Sequence, residues 1–303
     1  MRFHIVGDVH ANADALREVL GRLGWEQTRK GWRKPAALER LIFIGDYIDR
    51  GPKNAETIRI VRDLVADGIA IALMGNHELN AIHYHTPHPT KPGTFVRPHT
   101  DANRHQHADF LAEFPLGSAG AAEALDWFAT MPLWADVGPF RVVHAFWSDE
   151  AIAALDPIAD RGVLSKQALI DAGHKNSRLH APVALLTKGP ELTLPDDKML
   201  PDPRGKLRPE IRVAWWRDAK TWREAAVCVV DPSAIPDLFF QRTVAYPADA
   251  KPLFFGHYWL PGQVTVLAPN VMGLDYDRGR VIGYEFLADD EGLDLDRVVV
   301  VDT

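Results

Sequence analysis

Residues 41–51 read Leu-Ile-Phe-Ile-Gly-Asp-Tyr-Ile-Asp-Arg-Gly, an apolar run that ends abruptly in glycine and charged side chains. A short apolar run bounded by glycine is typical of a buried strand. Three charged residues, Asp46, Asp49 and Arg50, would then stand just beyond the carboxyl end of that strand. In open α/β sheets, ligands bind in the crevice at such ends. The segment therefore predicts a buried strand and part of a functional site.

Four further apolar runs end in residues that can bind a metal ion. These are Asp8 and His10 after Arg2–Val6, Asn76 after Ile69–Met74, His144 after Arg141–Val143, and His257 after Leu253–Phe255. Two divalent ions about 3.5–4 Å apart can clamp the attacking and leaving oxygens of an in-line displacement, and a carboxylate must bridge them. We expect Asp46 to be the bridge. One ion would then take Asp8, His10 and Asp46, and the other would take Asp46, Asn76, His144 and His257. The net positive charge of such a centre suits a phosphate.

The first 80 residues predict a βαβαβ unit. Apolar residues at helical spacing in Asn12–Leu23 and Ala55–Ala66 alternate with the strand candidates. Units of this size imply parallel strands joined by right-handed crossovers. Two irregular regions, about 81–130 and about 151–250, are interpreted as insertions over the active site.

Strand patterns return near the C-terminus with no helix between them, so those strands should pair antiparallel. The candidates are Val264–Leu267, Val271–Leu274, Val281–Phe286 and Val298–Val301. We therefore predict a single α/β domain over residues 1–303. Its architecture would be a β-sandwich with mixed sheets, flanked by helices.

Composition restricts the classes of function. The net charge is −7, and no basic block suggests a nucleic-acid or membrane partner. Cys228 is the only cysteine, which excludes an intrachain disulfide and suits the cytoplasm, where we expect the protein to act. No apolar stretch approaches the roughly 20 residues that span a bilayer. The sequence leaves the oligomeric state open.

Three of these motifs together resemble the signature of the calcineurin-like metallophosphoesterases. They are Asp8-Val9-His10, Gly45-Asp46-Tyr47-Ile48-Asp49-Arg50-Gly51 and Gly75-Asn76-His77-Glu78, and Val143-His144 and Gly256-His257 complete the pattern. The Asp-Arg-Gly of the second motif resembles the branch that contains serine/threonine protein phosphatases and bacterial bis(5′-nucleosyl)-tetraphosphatases. The resemblance implies the metallophosphoesterase fold and two divalent metal ions.

The resemblance also implies roles for residues that are not ligands. His77 would be the general acid, Asp49 would orient its ring, and Arg50 would bind phosphate oxygens. The second phosphate-binding arginine of the protein phosphatases has no secure counterpart here. Lys188 is our candidate for that role, and Arg217 is the alternative.

The predicted function is hydrolysis of a phosphoester by a metal-bridging hydroxide. A nucleotide or dinucleoside polyphosphate is the preferred substrate, because the insertions could enclose a small molecule. The alternatives are a serine/threonine-type phosphoprotein phosphatase and a binding module that keeps its metals without catalysis. Manganese is the favoured metal for activity, and iron, zinc, cobalt and nickel also suit mixed nitrogen and oxygen ligands. Six histidines between His83 and His107 are expected to form a polar lid without supplying a metal ligand.

Overall fold

The computed structural model describes residues 1–29, 31–34, 39–195, 198–201, 205, 207–240, 245–277 and 279–303. Within these ranges the strands are β1 (Arg2–Val6), β2 (Glu26–Thr28), β3 (Gly31–Arg33), β4 (Glu39–Phe43), β5 (Ala70–Ala72), β6 (Trp134–Asp136), β7 (Arg141–Val143), β8 (Glu191–Thr193), β9 (Leu200–Pro201), β10 (Leu207–Arg208), β11 (Glu210–Val213), β12 (Ala226–Val227), β13 (Leu253–Phe255), β14 (Val271–Gly273), β15 (Asp275–Tyr276), β16 (Arg280–Leu287) and β17 (Val298–Val301).

The α-helices are α1 (Ala13–Arg22), α2 (Asn54–Ala66), α3 (Asn76–His85), α4 (Asp101–Gln106), α5 (Ala108–Glu113), α6 (Ala119–Phe128), α7 (Asp149–Leu155), α8 (Lys166–Ala172), α9 (His180–Lys188) and α10 (Trp222–Ala225). Short 3-10 helices lie at Asp156–Ile158, Pro232–Ala234 and Leu295–Arg297.

The N-terminal βαβαβ unit is confirmed. Strands β1, β4 and β5 are parallel neighbours in a six-stranded sheet, and β16 pairs antiparallel with β1 on the other side. Helix α1 buries Leu16, Val19 and Leu20, which recur at helical spacing on one face. A small hairpin, β2–β3, lies between α1 and β4 and was not predicted.

A second sheet of four strands, in the order β14-β13-β7-β6, packs against the first. Aromatic rings join the two sheets. Phe140, next to β7, lies 5.1 Å from Phe3 and 4.9 Å from Phe286 between ring centroids. Phe254 of β13 lies 5.0 Å from Tyr284 of β16. Because side chains of both inner faces fill one core, the predicted β-sandwich with mixed sheets and flanking helices is confirmed.

The C-terminal strand predictions are correct only in part. Val281–Phe286 and Val298–Val301 fall within β16 and β17, which pair antiparallel as expected. Val264–Leu267 forms no strand. Thr265 N–H donates to the Tyr276 hydroxyl and Leu267 N–H donates to the Val271 carbonyl, so the segment makes isolated hydrogen bonds and not a strand ladder. Val271–Leu274 corresponds to β14, which is parallel to β13 and not antiparallel. The loop between β13 and β14 carries the chain back to the end of the sheet at which β13 begins, so the two strands run in the same direction.

The two predicted insertions have different contents. In the first, helix α3 starts inside the Gly75-Asn76-His77-Glu78 motif and runs to His85, across the predicted boundary at 81. The second contains the three-stranded sheet β12-β11-β8, which has its own small apolar cluster. Trp215 and Trp216 are buried in the main core. That the chain forms a single domain over residues 1–303 stays a prediction.

Among the described residues, no helix combines the length and apolar character that crossing a bilayer requires.

Candidate metal centre and active site

The candidate ligands follow the strand ends of both sheets. Asp8 and His10 follow β1, Asp46 follows β4, and Asn76 follows β5, all in the first sheet. His144 follows β7 and His257 follows β13 in the second sheet. The six predicted ligands therefore meet where the two sheets end side by side.

The backbone of this region is strained in the way that functional sites often are. His10, Asp46, Asp49, Arg50 and His257 all have positive φ angles, between 49° and 68°. Such angles are uncommon for residues other than glycine. The turns after β1, β4 and β13 thus adopt unfavourable conformations at the residues that the motifs identified.

Two glycines allow the carboxylates of Asp46 and Asp8 to lie close to the backbone. A Cβ atom at Gly75 would lie 2.2 Å from Asp46 Oδ1, and one at Gly256 would lie 2.0 Å from Asp8 Oδ1. No side chain can occupy that space while the carboxylates stay in place. The glycines of these two motifs are therefore explained by the space that Asp46 and Asp8 need.

Asp46 lies at the centre of the cluster. Its Oδ1 lies 3.3 Å from His144 Nε2, whereas its Oδ2 lies 3.7 Å from His10 Nε2. Asp8 Oδ2 lies 3.8 Å from the same His10 nitrogen. The two oxygens of Asp46 thus face histidines from different sheets.

Asn76 completes the second half of the cluster. Its Oδ1 lies 2.6 Å from His257 Nδ1 and 3.3 Å from His144 Nε2. Among the described residues, two groups of His, Asp and Glu side chains could hold a metal ion: His10, Asp46 and His77 in one, and Asp46, His144 and His257 in the other. None of the six histidines of residues 83–107 belongs to either group.

Backbone carbonyls fix the orientation of two ligand rings. His144 Nδ1 lies 2.9 Å from the Ile44 carbonyl oxygen, and His10 Nδ1 lies 3.1 Å from the Ile48 carbonyl oxygen. A carbonyl can only accept, so each Nδ1 carries the proton and each Nε2 offers its lone pair to the cluster. His257 Nε2 is buried without a hydrogen-bond partner among the described residues.

The electrostatics of the cluster favour cations. Burial raises the pKa of Asp8, and the nearby charges of Asp275 and Asp46 raise it further. Burial, followed by the charge of Arg50, lowers the pKa of His10 well below its ordinary value. A neutral imidazole is the form that binds metals, and crowded buried carboxylates are stabilised by a bound cation. The residues present therefore fit divalent metal ions.

Glu78 ties the two central motifs together. It is fully buried in the first turn of α3. Its carboxylate accepts hydrogen bonds from the backbone N–H groups of Gly75 at 3.0 Å, Asp46 at 2.9 Å and Tyr47 at 2.8 Å. This single side chain thereby fixes the Asp46 turn against the start of the helix that carries Asn76 and His77.

His77 and Asp49 form the predicted pair. His77 Nδ1 lies 2.6 Å from Asp49 Oδ2, and both side chains are buried. Burial raises the pKa of Asp49, but hydrogen bonds from His107 and His77 outweigh it and leave the pKa well below its ordinary value. An ionised Asp49 can only accept, so His77 Nδ1 donates to it. That leaves His77 Nε2, which is 3.8 Å from Asp46 Oδ2, directed towards the metal cluster.

The predicted substrate-binding residues have different surroundings. Arg50 is exposed, and its Nη1 lies 2.7 Å from His10 Nε2. Lys188 is half-buried at the end of α9, where burial and the charge of Arg97 lower its pKa. Arg217 donates to the carbonyl oxygens of Glu224 and Ala226. Phosphate binding by Lys188 stays a prediction.

Arg212 was not predicted from the sequence to lie at the site. This residue lies on β11 in the second insertion, and its Nη1 donates to the His257 carbonyl oxygen at 2.8 Å. It lines one cavity together with Arg50, so two guanidinium groups face the same space beside the metal cluster. Nothing in the local sequence distinguishes Arg212 from the other arginines of the insertion.

The contact that His107 makes with Asp49 was not predicted from the sequence either. Its Nδ1 lies 2.8 Å from Asp49 Oδ1, the carboxylate oxygen that His77 leaves free. The histidine-rich composition of residues 83–107 marked the segment but not this residue.

The chain is similar in part to curated enzymes. Over 77 residues it is 42% identical to the bis(5′-nucleosyl)-tetraphosphatase PrpE [asymmetrical] of Halalkalibacterium halodurans, covering 25% of this chain and 31% of the relative. Over 145 residues it is 30% identical to the symmetrical bis(5′-nucleosyl)-tetraphosphatase of Vibrio cholerae, covering 48% of this chain and 44% of the relative. The similarity thus spans less than half of each of these relatives.

A solved structure resembles the whole fold. A cold-active protein-tyrosine phosphatase of a psychrophilic Shewanella species matches 97% of this chain and 80% of its own, with a TM-score of 0.51 and 15% identity. At that identity the likeness concerns the fold alone. The family model of the calcineurin-like phosphoesterases matches residues 1–257, which include all six candidate ligands and the His77–Asp49 pair. The chain therefore belongs to the calcineurin-like phosphoesterase family.

Proposed function

We propose that the protein is a dinuclear-metal-dependent phosphoester hydrolase. The observation that carries this proposal is the position of Asp46. Its Oδ1 faces His144 at 3.3 Å and its Oδ2 faces His10 at 3.7 Å, so each oxygen can serve a different ion. Asp8, His10 and Asp46 would hold one ion, and Asp46, Asn76, His144 and His257 would hold the other.

When bound, a pair of divalent cations lowers the pKa of a water molecule and offsets the charge of the phosphoryl oxygens. The mixed nitrogen and oxygen donors suit manganese, iron, zinc, cobalt and nickel, and we propose manganese as the activating ion.

The protein's own residues would bind the phosphoryl group and move one proton. Arg50 and Arg212, which line the same cavity, would bind the phosphoryl oxygens with their planar guanidinium groups. His77 would give the proton on Nε2 to the departing oxygen. Asp49 accepts from His77 Nδ1 and so keeps the ring in the orientation that this transfer requires.

We propose a nucleotide or a dinucleoside polyphosphate as the substrate. The names of the curated relatives support this class. The cavity beside the metal cluster supports it as well, because it combines Arg50, Arg208 and Arg212 with the aromatic side chain of Trp259. Guanidinium groups suit a phosphate chain, and an aromatic face suits a nucleobase.

The test compares Asp46→Asn with Asp14→Asn, a control at a carboxylate that is 75% exposed on α1. Each protein is stripped of metal and reloaded, and the bound metal and the turnover are then measured. We expect Asp46→Asn to lose activity and metal, and Asp14→Asn to keep both. Full metal content with wild-type turnover in Asp46→Asn would refute the bridging assignment.

The reloaded wild type is also assayed on an aryl phosphate, a bis-aryl phosphate, a dinucleoside tetraphosphate and a phosphopeptide. We expect the dinucleoside tetraphosphate to have the highest kcat/KM. A preference for the phosphopeptide would favour the phosphoprotein phosphatase alternative. Two bound metals without turnover on any of these compounds would favour the non-catalytic binding module.

A further inference from the structure

His107 connects the first insertion to His77, the proposed proton donor. The residue lies between α4 and α5, is fully buried, and is 58 positions away from Asp49 along the chain. Its Nδ1 lies 2.8 Å from Asp49 Oδ1, while His77 Nδ1 lies 2.6 Å from Asp49 Oδ2. One carboxylate is thus held by two imidazole rings, one on each oxygen.

The directions of these hydrogen bonds are determined by chemistry. Hydrogen bonds from His107 and His77 keep the pKa of Asp49 low against the effect of burial, so the carboxylate is ionised and only accepts. Both rings therefore carry a proton on Nδ1. On the other side of the ring, His107 Nε2 lies 3.4 Å from His85 Nε2. Burial and the charge of His107 lower the pKa of His85 to about 4, so His85 is neutral.

Packing holds His107 in this position. Its ring stacks on Phe110, with centroids 4.8 Å apart and an angle of 18° between the planes. Tyr84 packs against another side at 5.1 Å. Asp49 is fixed as well, because its backbone N–H donates to Asn54 Oδ1 at 2.8 Å. A ring that is packed this tightly leaves Asp49 little freedom to rotate.

We propose that His107 is a positioning residue that acts on His77 through Asp49. It holds Asp49 ionised and in one rotamer. Asp49 in turn accepts the hydrogen bond from His77 Nδ1, which keeps His77 Nε2 and its transferable proton directed into the site. The first insertion thereby contributes a residue to proton transfer. This inference rests on the proposed function, because it requires His77 to be the proton donor.

The test uses three variants. His107→Leu removes the donor, whereas His107→Asn keeps an N–H group near the place of Nδ1. His99→Leu is the matched control. His99 lies in the same segment and stacks on Tyr84, but its Nε2 bonds to the Tyr84 carbonyl oxygen and not to Asp49. Thermal unfolding of each variant shows that it folds.

Turnover is measured on a 4-nitrophenyl ester and on an alkyl ester of the same phosphate. Outer partners of catalytic groups are typically worth about 10–100-fold in activity. We expect His107→Leu to lose about that much kcat on the alkyl ester, which needs the proton, and much less on the 4-nitrophenyl ester. His107→Asn should recover most of the loss, and His99→Leu should resemble the wild type on both.

A double-mutant cycle isolates the path through His77. When His77→Asn is already present, His107→Leu should cause no further loss on the alkyl ester, because the group it positions is gone. The proposal fails if the losses are equal on both esters, if His107→Asn is no better than His107→Leu, or if the two losses multiply in the cycle.

A further measurement does not depend on turnover. Nitrogen-15 NMR of histidine-labelled protein reports which ring nitrogen carries the proton. We expect His77 Nδ1 to be protonated in one state in the wild type and in His107→Asn, and to occupy more than one state in His107→Leu. A single unchanged state of His77 Nδ1 in His107→Leu would overturn the positioning role, whether or not the wild type hydrolyses the test substrates. Absence of hydrolysis by the wild type would count against the proposed function alone.

Discussion

Replacing Gly256 by alanine should displace Asp8, one of the proposed metal ligands, without removing its carboxylate. The added Cβ would lie 2.0 Å from Asp8 Oδ1, whereas ordinary van der Waals contact begins at 3.4 Å, so the carboxylate would have to withdraw by about 1.4 Å. Asp8 is buried, and its two oxygens accept from the His257 N–H at 3.1 and 3.3 Å, so this movement also breaks hydrogen bonds.

A misplacement of about 1 Å can lower the rate about 100-fold. We therefore expect Gly256→Ala to lose at least about that factor in kcat/KM and to bind one metal ion more weakly than the other. Overpacking of this kind also typically costs about 1–3 kcal/mol of stability. The measurements are metal content after dialysis, kcat/KM and thermal unfolding.

Two variants make the result interpretable. Gly21→Ala is the matched control, because Gly21 lies in α1 with no atom within 4 Å of an added Cβ. It should keep full activity and gain about 0.5–1 kcal/mol of stability from reduced backbone freedom. Asp8→Asn gives the reference for a weakened first ion. If Gly256→Ala kept two tightly bound metals and wild-type kcat/KM, the close approach of Asp8 would have no functional meaning.

Two further outcomes follow from the site. His77→Asn should keep both metals and lose about 10²–10⁴-fold in rate on substrates with poor leaving groups, with a smaller loss on an aryl phosphate. If metal analysis of this variant showed that one ion was lost, His77 would instead be a ligand. Arg212→Ala should raise KM for a polyphosphate substrate by about ten-fold or more, as expected for loss of a charge-assisted hydrogen bond, whereas Arg217→Ala should change KM little. Similar KM values in both variants would remove Arg212 from substrate binding.

Most of the candidate metal cluster could be predicted because its candidate ligands follow strand ends. Asp8, His10, Asp46 and Asn76 lie within short local motifs, and the apolar run before each motif predicts its strand. Assigning strands to sheets was not possible by the same reasoning. The approach of His144 and His257 to this edge depends on the second sheet, whose position is fixed by aromatic packing between residues far apart in the chain.

The errors have a related cause. Val264–Leu267 has the composition of a strand but no partner strand, and periodicity cannot reveal whether a partner exists. The direction of β14 depends on the path of the loop before it. Arg212 and His107 reach the site from the insertions, where the pattern of apolar residues is weak. Their roles follow from contacts that span 45 and 58 positions, and no local motif encodes such contacts.

The three backbone hydrogen bonds to Glu78 have a consequence for how the protein acquires its metals. One buried side chain accepts hydrogen bonds from the backbone of Gly75, Asp46 and Tyr47. The turn that carries Asp46 and the first turn of α3 therefore form one rigid unit. A site that is preorganised in this way loses little conformational entropy when an ion arrives. Loading should then be governed by how quickly each ion sheds its water and not by refolding of the chain. Hydrogen exchange at the Asp46 and Tyr47 amides should accordingly be slow in the metal-free protein and nearly unchanged after metal is added.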